Sequence, residues 1–332
     1  MVWYPRRTAM NFFPKATIYP FMGVRNIFLT ISAVLVLGSL VLLFTKGINF
    51  GVDFSGGSVI QIKYDQIAPL QKIRSTLKQS TEFQSAYVTN FGSDEEVLIK
   101  ASIASENLNQ DTGDLISHIL QDTGNFEIRR VDIVGSKVGA ELREQGILSV
   151  VLSLIVLLIY VSYRFEWRFA LASIGALIHD LSITIGIIIL LGVDFNLDIL
   201  AALLMILGYS LNDTIVVFDR VREELQETKQ NDLATIINEA VSRTLSRTTL
   251  TSLTTLFVVL TLYLFGGEIL AGFSLTMLVG IIVGTYSSIF VASTILIVVK
   301  FSVPLYKKKE LDKEKIKKEK ERLRSMYEKG VV

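Results

Sequence analysis

Six apolar runs and one long polar stretch divide the chain. The runs are Ile27–Thr45, Ile147–Tyr163, Phe169–Leu191, Leu197–Phe218, Thr249–Phe265 and Phe273–Val299. Each reaches about 17 residues or more, the length a helix needs to cross a bilayer. The pattern predicts an α-helical polytopic membrane protein with six transmembrane helices. The first run is longer than a signal-peptide core and no Ala-x-Ala pattern follows it, so it reads as a retained anchor.

Residues 46–145 have a different texture. Val59 to Tyr64 alternates apolar and polar, which predicts a strand. Ile67, Leu70, Ile73 and Leu77 recur with helical period over Ile67–Ser80. Ser85–Phe91 and Val97–Ala101 read as two strands joined at Gly92-Ser93-Asp94. Leu108–Leu120 reads as a helix and Phe126–Val134 as the last strand. The order β-α-β-β-α-β predicts a ferredoxin-like α+β domain between helices 1 and 2. It shows no grouping of acid, base and nucleophile, and His118 stands alone on its helix as a surface or boundary residue. Gly135–Gln145 is an amphipathic lead-in to the second span.

Charge then orients the spans. Arg6, Arg7, Lys15 and Arg25 lie in the N-terminal segment 1–26. Arg164 and Arg168 bracket a short loop, the segment 219–248 is charged and mostly helical, and the tail 300–332 alternates Lys and Glu. The short loop 192–196 on the opposite side has no Lys or Arg. The positive-inside rule therefore puts both termini in the cytoplasm and the α+β domain outside. The tail reads as a solvated helix or a disordered segment, with lipid headgroups or, weakly, ribosomal RNA as its contacts.

Composition narrows the chemistry. Half of the 332 residues are hydrophobic, net charge is +1, and there is no Cys. Mean hydropathy is +0.48. Thiol chemistry and disulfides are excluded, and two His residues do not make a His-rich metal site. No global field points to nucleic acid.

Asp213, beside Asn212, lies inside the fourth apolar run. A charged, unpaired carboxylate at that depth costs several kcal/mol, so it pairs, titrates or lines a wet cavity. The bland alternative is a structural hydrogen bond between helices. His179 and Asp180 lie near the middle of the third run. Neighbours on a helix point about 100° apart, so they are not expected to face one partner. Structural and functional readings are both open for them. Arg247, Thr251 and Thr255 recur every fourth residue on one helix face. With Thr248 they form either a polar path or hydroxyls bonded back to their own turn. Gly280, Gly284, Ser288 and Ala292 form a small-residue ridge for close helix packing. In Gly51-Val52-Asp53-Phe54-Ser55-Gly56-Gly57, the glycines permit a tight reversal and Asp53 is expected to bond amides of that turn. No Lys-Ser/Thr follows and no helix is expected to open there, which argues against a phosphate loop. Gly192-Val193-Asp194-Phe195 echoes this loop.

GVDFSGG (51–57), ALIHD (176–180), GYSLNDTIVVFDRVRE (208–223) and TLSRTTLTSLTT (244–255) resemble, in order, the motifs of the SecF family, within the resistance–nodulation–division superfamily. The resemblance covers nearly the whole chain. It implies a non-enzymatic export subunit of the bacterial cytoplasmic membrane. Its partners would be SecD, which completes a twelve-helix unit, the SecYEG channel, YajC and unfolded preprotein on the outer side. The unit would use proton-motive force late in translocation. By the same resemblance Asp213 and Arg247 are the ion-relay pair, with H+ as coupling ion, Na+ as the alternative, and no other cofactor. Rival readings are half of a small-molecule exporter, a structural scaffold for the channel, and an intramembrane aspartyl protease using Asp213 and Asp180. The last lacks the Gly-x-Gly-Asp context.

Overall fold

A computed structural model describes residues 17–84, 86–101 and 112–328. Arg6, Arg7, Lys15, Ser85 and the expected helical start Leu108–Asp111 lie outside the described residues. In chain order the elements are α1 (Arg25–Thr45), α2 (Val52–Ser55), β1 (Gly57–Tyr64), α3 (Leu70–Gln79), β2 (Tyr87–Phe91), β3 (Ser93–Ala101), α4 (Thr112–Leu120), β4 (Phe126–Val134), α5 (Ser136–Arg164), α6 (Trp167–Leu191), α7 (Leu197–Glu227), α8 (Leu233–Phe265), α9 (Gly267–Val298) and α10 (Val303–Glu328). Among the described residues six helices are long and apolar enough to span a membrane: α1, α5, α6, α7, α8 and α9.

The small domain has the expected layout. Its four strands lie in the order β2-β3-β1-β4, with every neighbouring pair antiparallel. The side chains of Ile60, Ile62, Ile73, Leu77, Val97, Ile99, Ile116 and Leu120 fill one core between the sheet and its two helices. The alternation in β1 explains this, because successive side chains point to opposite faces. The β2–β3 reversal is tighter than expected. Phe91 pairs with Ser93 across Gly92 at φ +75°, so Ser93 and Asp94 belong to the strand. His118 is exposed.

The long helices run past the apolar runs. The lead-in at 135–145 is the first part of α5, continuous with the span. The charged segment 219–248 is no separate loop. It is the end of α7 and the start of α8, separated only by residues 228–232. Asp232 closes that turn by capping α8, its side chain accepting from Thr235 N at 3.0 Å. The tail forms the helix α10 over its described length.

Two sets of contacts define the two ends of the bundle. At one end Met22 N donates to Asn238 Oδ1 (2.9 Å), Arg164 pairs with Asp219 (3.2 Å), and Lys307 Nζ donates to Thr228 O (2.8 Å). At the other, Phe50 bridges Phe195 and Lys46 Nζ donates to Ile189 O (2.9 Å), beside the α+β domain. Helix α9 lies at the centre of the bundle, against α1, α6, α7 and α8. Helices α1, α5 and α8 carry most of the exposed apolar side chains, among them Val34, Val41, Ile147, Val156, Phe257 and Val258. That surface needs lipid or another apolar partner.

Candidate functional site: two buried carboxylates around helix α9

Asp213 is 2% exposed. Helix α7 aims it into the bundle because Ser210, Thr214 and Val217 share its face and are buried as well. Its Oδ2 accepts from Ser252 Oγ of α8 at 3.0 Å. The Thr285 hydroxyl of α9 stands 2.8 Å from that Ser252 oxygen and 2.7 Å from Ile281 O. An ionised carboxylate only accepts hydrogen bonds, so Ser252 must donate to it. Thr285 then donates to Ser252 or to Ile281. Protonation of Asp213 allows both hydroxyls to turn over. The arrangement can carry a change of charge on α7 through α8 to α9 by rotating two O–H bonds.

Asn212, next in sequence, is exposed, and so is Arg247. Arg247 is near enough to Asp213 for its charge to act on it, but among the described residues the two form no ion pair within 4 Å. Of the two readings of the hydroxyl stripe of α8, the structure shows the hydroxyls bonded back to their own turn. Thr251 Oγ1 donates to its own helix, at Thr248 O (2.9 Å) and Arg247 O (3.1 Å), and Thr255 Oγ1 bonds Thr251 O at 3.1 Å. Thr251 is exposed. The polar face that meets Asp213 is one residue round the helix: Thr244, Thr248 and Ser252 are the buried set. Thr248 Oγ1 is buried without a hydrogen-bond partner. Ser252 and Thr285 were not singled out from the sequence. The i, i+4 spacing of Thr248 and Ser252 is a signal for the former; Thr285 has none, since Ser and Thr recur all along α9.

His179 and Asp180 meet each other, and among the described residues they share no third hydrogen-bond partner, as the helical angle between them requires. His179 Nδ1 lies 2.9 Å from Asp180 Oδ1, because the imidazole folds back over its neighbour. Asp180, at 0% exposure, also accepts on Oδ2 from Ser210 Oγ of α7 (2.5 Å) and Ser287 Oγ of α9 (2.8 Å). One carboxylate thus joins three helices.

The small-residue ridge makes these approaches possible. A Cβ on Gly284 would stand 3.0 Å from Ser210 Cβ, and one on Gly280 would overlap the Ile206 side chain. Ser288 is fully buried, its hydroxyl donating to Thr285 O at 3.0 Å.

The glycine-rich loop is built otherwise than expected. Residues Val52–Ser55 form one helical turn, and Asp53 reaches across the molecule to accept from Leu197 N, the first amide of α7, at 3.0 Å. The echoing loop is its direct neighbour. Gly51 N donates to Phe195 O (2.8 Å) and Phe195 N to Asn49 O (2.7 Å), while the Phe54 and Phe195 rings lie 5.8 Å apart. Gly56 at φ +77° would place a Cβ 2.7 Å from Ser136 Cα, so only glycine lets α2 seat on α5.

Known proteins are similar to this chain in sequence and in fold. Residues 115–302 match the family model described as protein export membrane protein SecD/SecF, C-terminal, and residues 41–66 match the SecD/SecF GG motif. The protein translocase subunit SecF of Helicobacter pylori is 47% identical over 97% of this chain and all of its own length. That of Pseudomonas aeruginosa is 44% identical over 83% of this chain and 90% of its own. Among solved structures, SecDF of Thermus thermophilus, titled a translocon-associated membrane protein, superposes with a TM-score of 0.77 at 34% identity. The match covers 86% of this chain and 39% of that one. A six-helix multi-pass architecture, a GG-motif loop capping the fourth span and full-length identity converge on one conclusion: the chain belongs to the SecF branch of the SecD/SecF family of protein-export membrane proteins.

Proposed function

We propose that this chain is the SecF half of a SecD–SecF unit in the bacterial cytoplasmic membrane. The unit converts the transmembrane ion gradient into late-stage preprotein movement. The observation that carries the reading is Asp213, sunk in the bundle yet hydrogen-bonded to Ser252. A carboxylate so placed takes up and releases a proton with a conformational consequence. Arg247 is the counter-charge that approaches Asp213 in another state of the cycle. Its exposed position, with the exposed Asn212, leaves polar groups on a face that lipid does not satisfy. That face supports docking of SecD. The match to 39% of a SecDF chain fits the same division of labour.

The end bearing Arg164, Arg168, Arg220, Arg222 and Lys307 is the cytoplasmic one by the positive-inside rule. The α+β domain then stands outside, where it meets unfolded preprotein; SecYEG and YajC are the neighbours on the channel side. An elementary charge crossing 100 mV supplies about 2.3 kcal/mol, and each pH unit about 1.4 kcal/mol. Together these shift a two-state equilibrium by one to three decades. H+ fits the hydroxyl relay better than Na+, which would need several oxygen ligands at once.

The experiment is preprotein export in inverted vesicles holding this chain with its SecD, the ion gradient being set independently of ATP. Asp213→Asn is expected to abolish gradient-dependent stimulation while expression and SecD association persist. Retained stimulation in that variant would remove the relay.

A further inference from the structure

Two of the buried acids of this bundle, Asp213 and Asp180, are wired to α9 by the same device. On the Asp213 side, Thr285 of α9 has two acceptors: Ser252 Oγ, which leads to the acid, and its own backbone at Ile281 O. On the Asp180 side, Ser287 of α9 also has two: Asp180 Oδ2 at 2.8 Å and its own backbone at Gly284 O, 3.1 Å away. Each hydroxyl carries one hydrogen, so each reports whether its acid needs a donor. The acids also share α7. Ser210, which donates to Asp180, precedes Asp213 by three residues, about one helical turn.

His179 supplies a way in. With Nδ1–H donating to Asp180, its Nε2 carries a free lone pair, and that atom is buried with no hydrogen-bond partner. A buried, unsatisfied acceptor is costly unless something visits it.

We infer that His179 and Asp180 form a second proton-accepting site, coupled to Asp213 through the α9 segment Gly284–Ser288. The inference rests on the ion-coupling reading of Asp213. In the step envisaged a proton binds His179 Nε2, and the proton on Nδ1 passes to Asp180 Oδ1. The imidazole ends neutral and the carboxylate becomes a carboxylic acid. Asp180 then needs fewer donors, and Ser287 turns to Gly284 O. The loosened contact frees α9 against α6 and α7.

Few other ionisable groups share this interior. Helix α7 brings Asp213 and Tyr209, and α9 brings Tyr286, whose ring centre lies 6.1 Å from that of His179. Tyr286 is itself held by Ser32 Oγ (2.8 Å) and Phe28 O (2.7 Å) of α1. Helix α1 has no ionisable side chain between Asn26 and Thr45, and α5 has none between Gly146 and Ile159.

The test is pH-difference infrared spectroscopy of the complete complex with SecD in liposomes, read at the carbonyl stretch of buried carboxylic acids. The wild type is expected to show two such bands. Asp213→Asn should remove one and move the titration midpoint of the other. Asp180→Asn should remove the second, and His179→Gln should slow its appearance at least tenfold. Ser287→Ala keeps both acids and is expected to move the midpoint of the Asp180 band, so a variant that fails to assemble does not end the test. A spectrum unchanged by Asp180→Asn, or a midpoint unmoved by Ser287→Ala, overturns the second site. Loss of the Asp213 band with export stimulation still gradient-dependent would instead count against the reading on which it rests.

Discussion

Asp53 and Leu197 are 144 residues apart, and the carboxylate of one accepts the first amide hydrogen of the helix that begins with the other, at 3.0 Å. The first four amides of a helix have no partner within it, and an acid at that end also meets the positive pole of the helix dipole. Helix α7 already has a local cap, Asn196, whose side chain accepts from Ile199 N at 3.0 Å. The second cap comes from the loop that leads into the α+β domain. The helix bearing Asp213 is thus attached by its first turn to the loop that leads into the α+β domain. The Lys100–Asp194 pair (3.7 Å) strengthens the link from β3.

Replacing Asp53 should loosen that link. Asp53→Ala is expected to cost about 0.5–2 kcal/mol, the usual worth of an N-cap. Asp53→Asn keeps an acceptor and should lose less. Thermal unfolding of the purified complex in detergent gives the order; equal losses for the two would mean that the charge alone matters.

Gly186 predicts a packing limit between α1 and α6. A Cβ there would stand 2.8 Å from Ser39 Cα, a backbone atom that no rotamer change can withdraw. Gly186→Ala is therefore expected to destabilise by about 1–3 kcal/mol. Adding Ser39→Ala should not restore it, because the clash is with the backbone. Restoration in the double variant, measured by detergent melting, would show that α1 shifts freely.

The hydroxyls of α8 should separate by function. Ser252→Ala removes the donor to Asp213 and is expected to change the pH profile of gradient-driven export. Thr251→Val removes a hydroxyl that bonds only its own helix and should leave the profile within twofold of wild type. The same vesicle assay across external pH decides between them, and a larger effect at Thr251 would restore the outer stripe as the path.

Tyr64 makes the α+β domain sensitive to alkali. Burial pushes its phenol above the ordinary tyrosine value, against the hydrogen bond with Thr123 at 2.7 Å. A raised folded value means that its stabilising contribution is complete below about pH 10, the unfolded value, and is lost as pH rises through the folded one. Tyr64→Phe should flatten that alkaline loss, measured as the melting temperature of the complex from pH 8 to pH 11.

Much of this protein could be read from its linear pattern. Runs of apolar residues longer than a bilayer is thick admit few structures, and every one of the six became a helix. Alternation in β1 and helical period in α3 likewise placed the α+β domain, since side-chain periodicity is local. Asp213 stood out because the environment of a carboxylate inside an apolar run is implied by its neighbours. Which hydroxyl faces that carboxylate was a different kind of question. Thr251 and Ser252 are adjacent, and only the rotation of α8 about its axis, set by packing on α7 and α9, turns one inward and the other out. The meeting of Asp53 with Leu197, and of Asp180 with Ser210 and Ser287, depends on contacts between residues far apart in the chain. No periodicity encodes them, so the tertiary structure alone decided them.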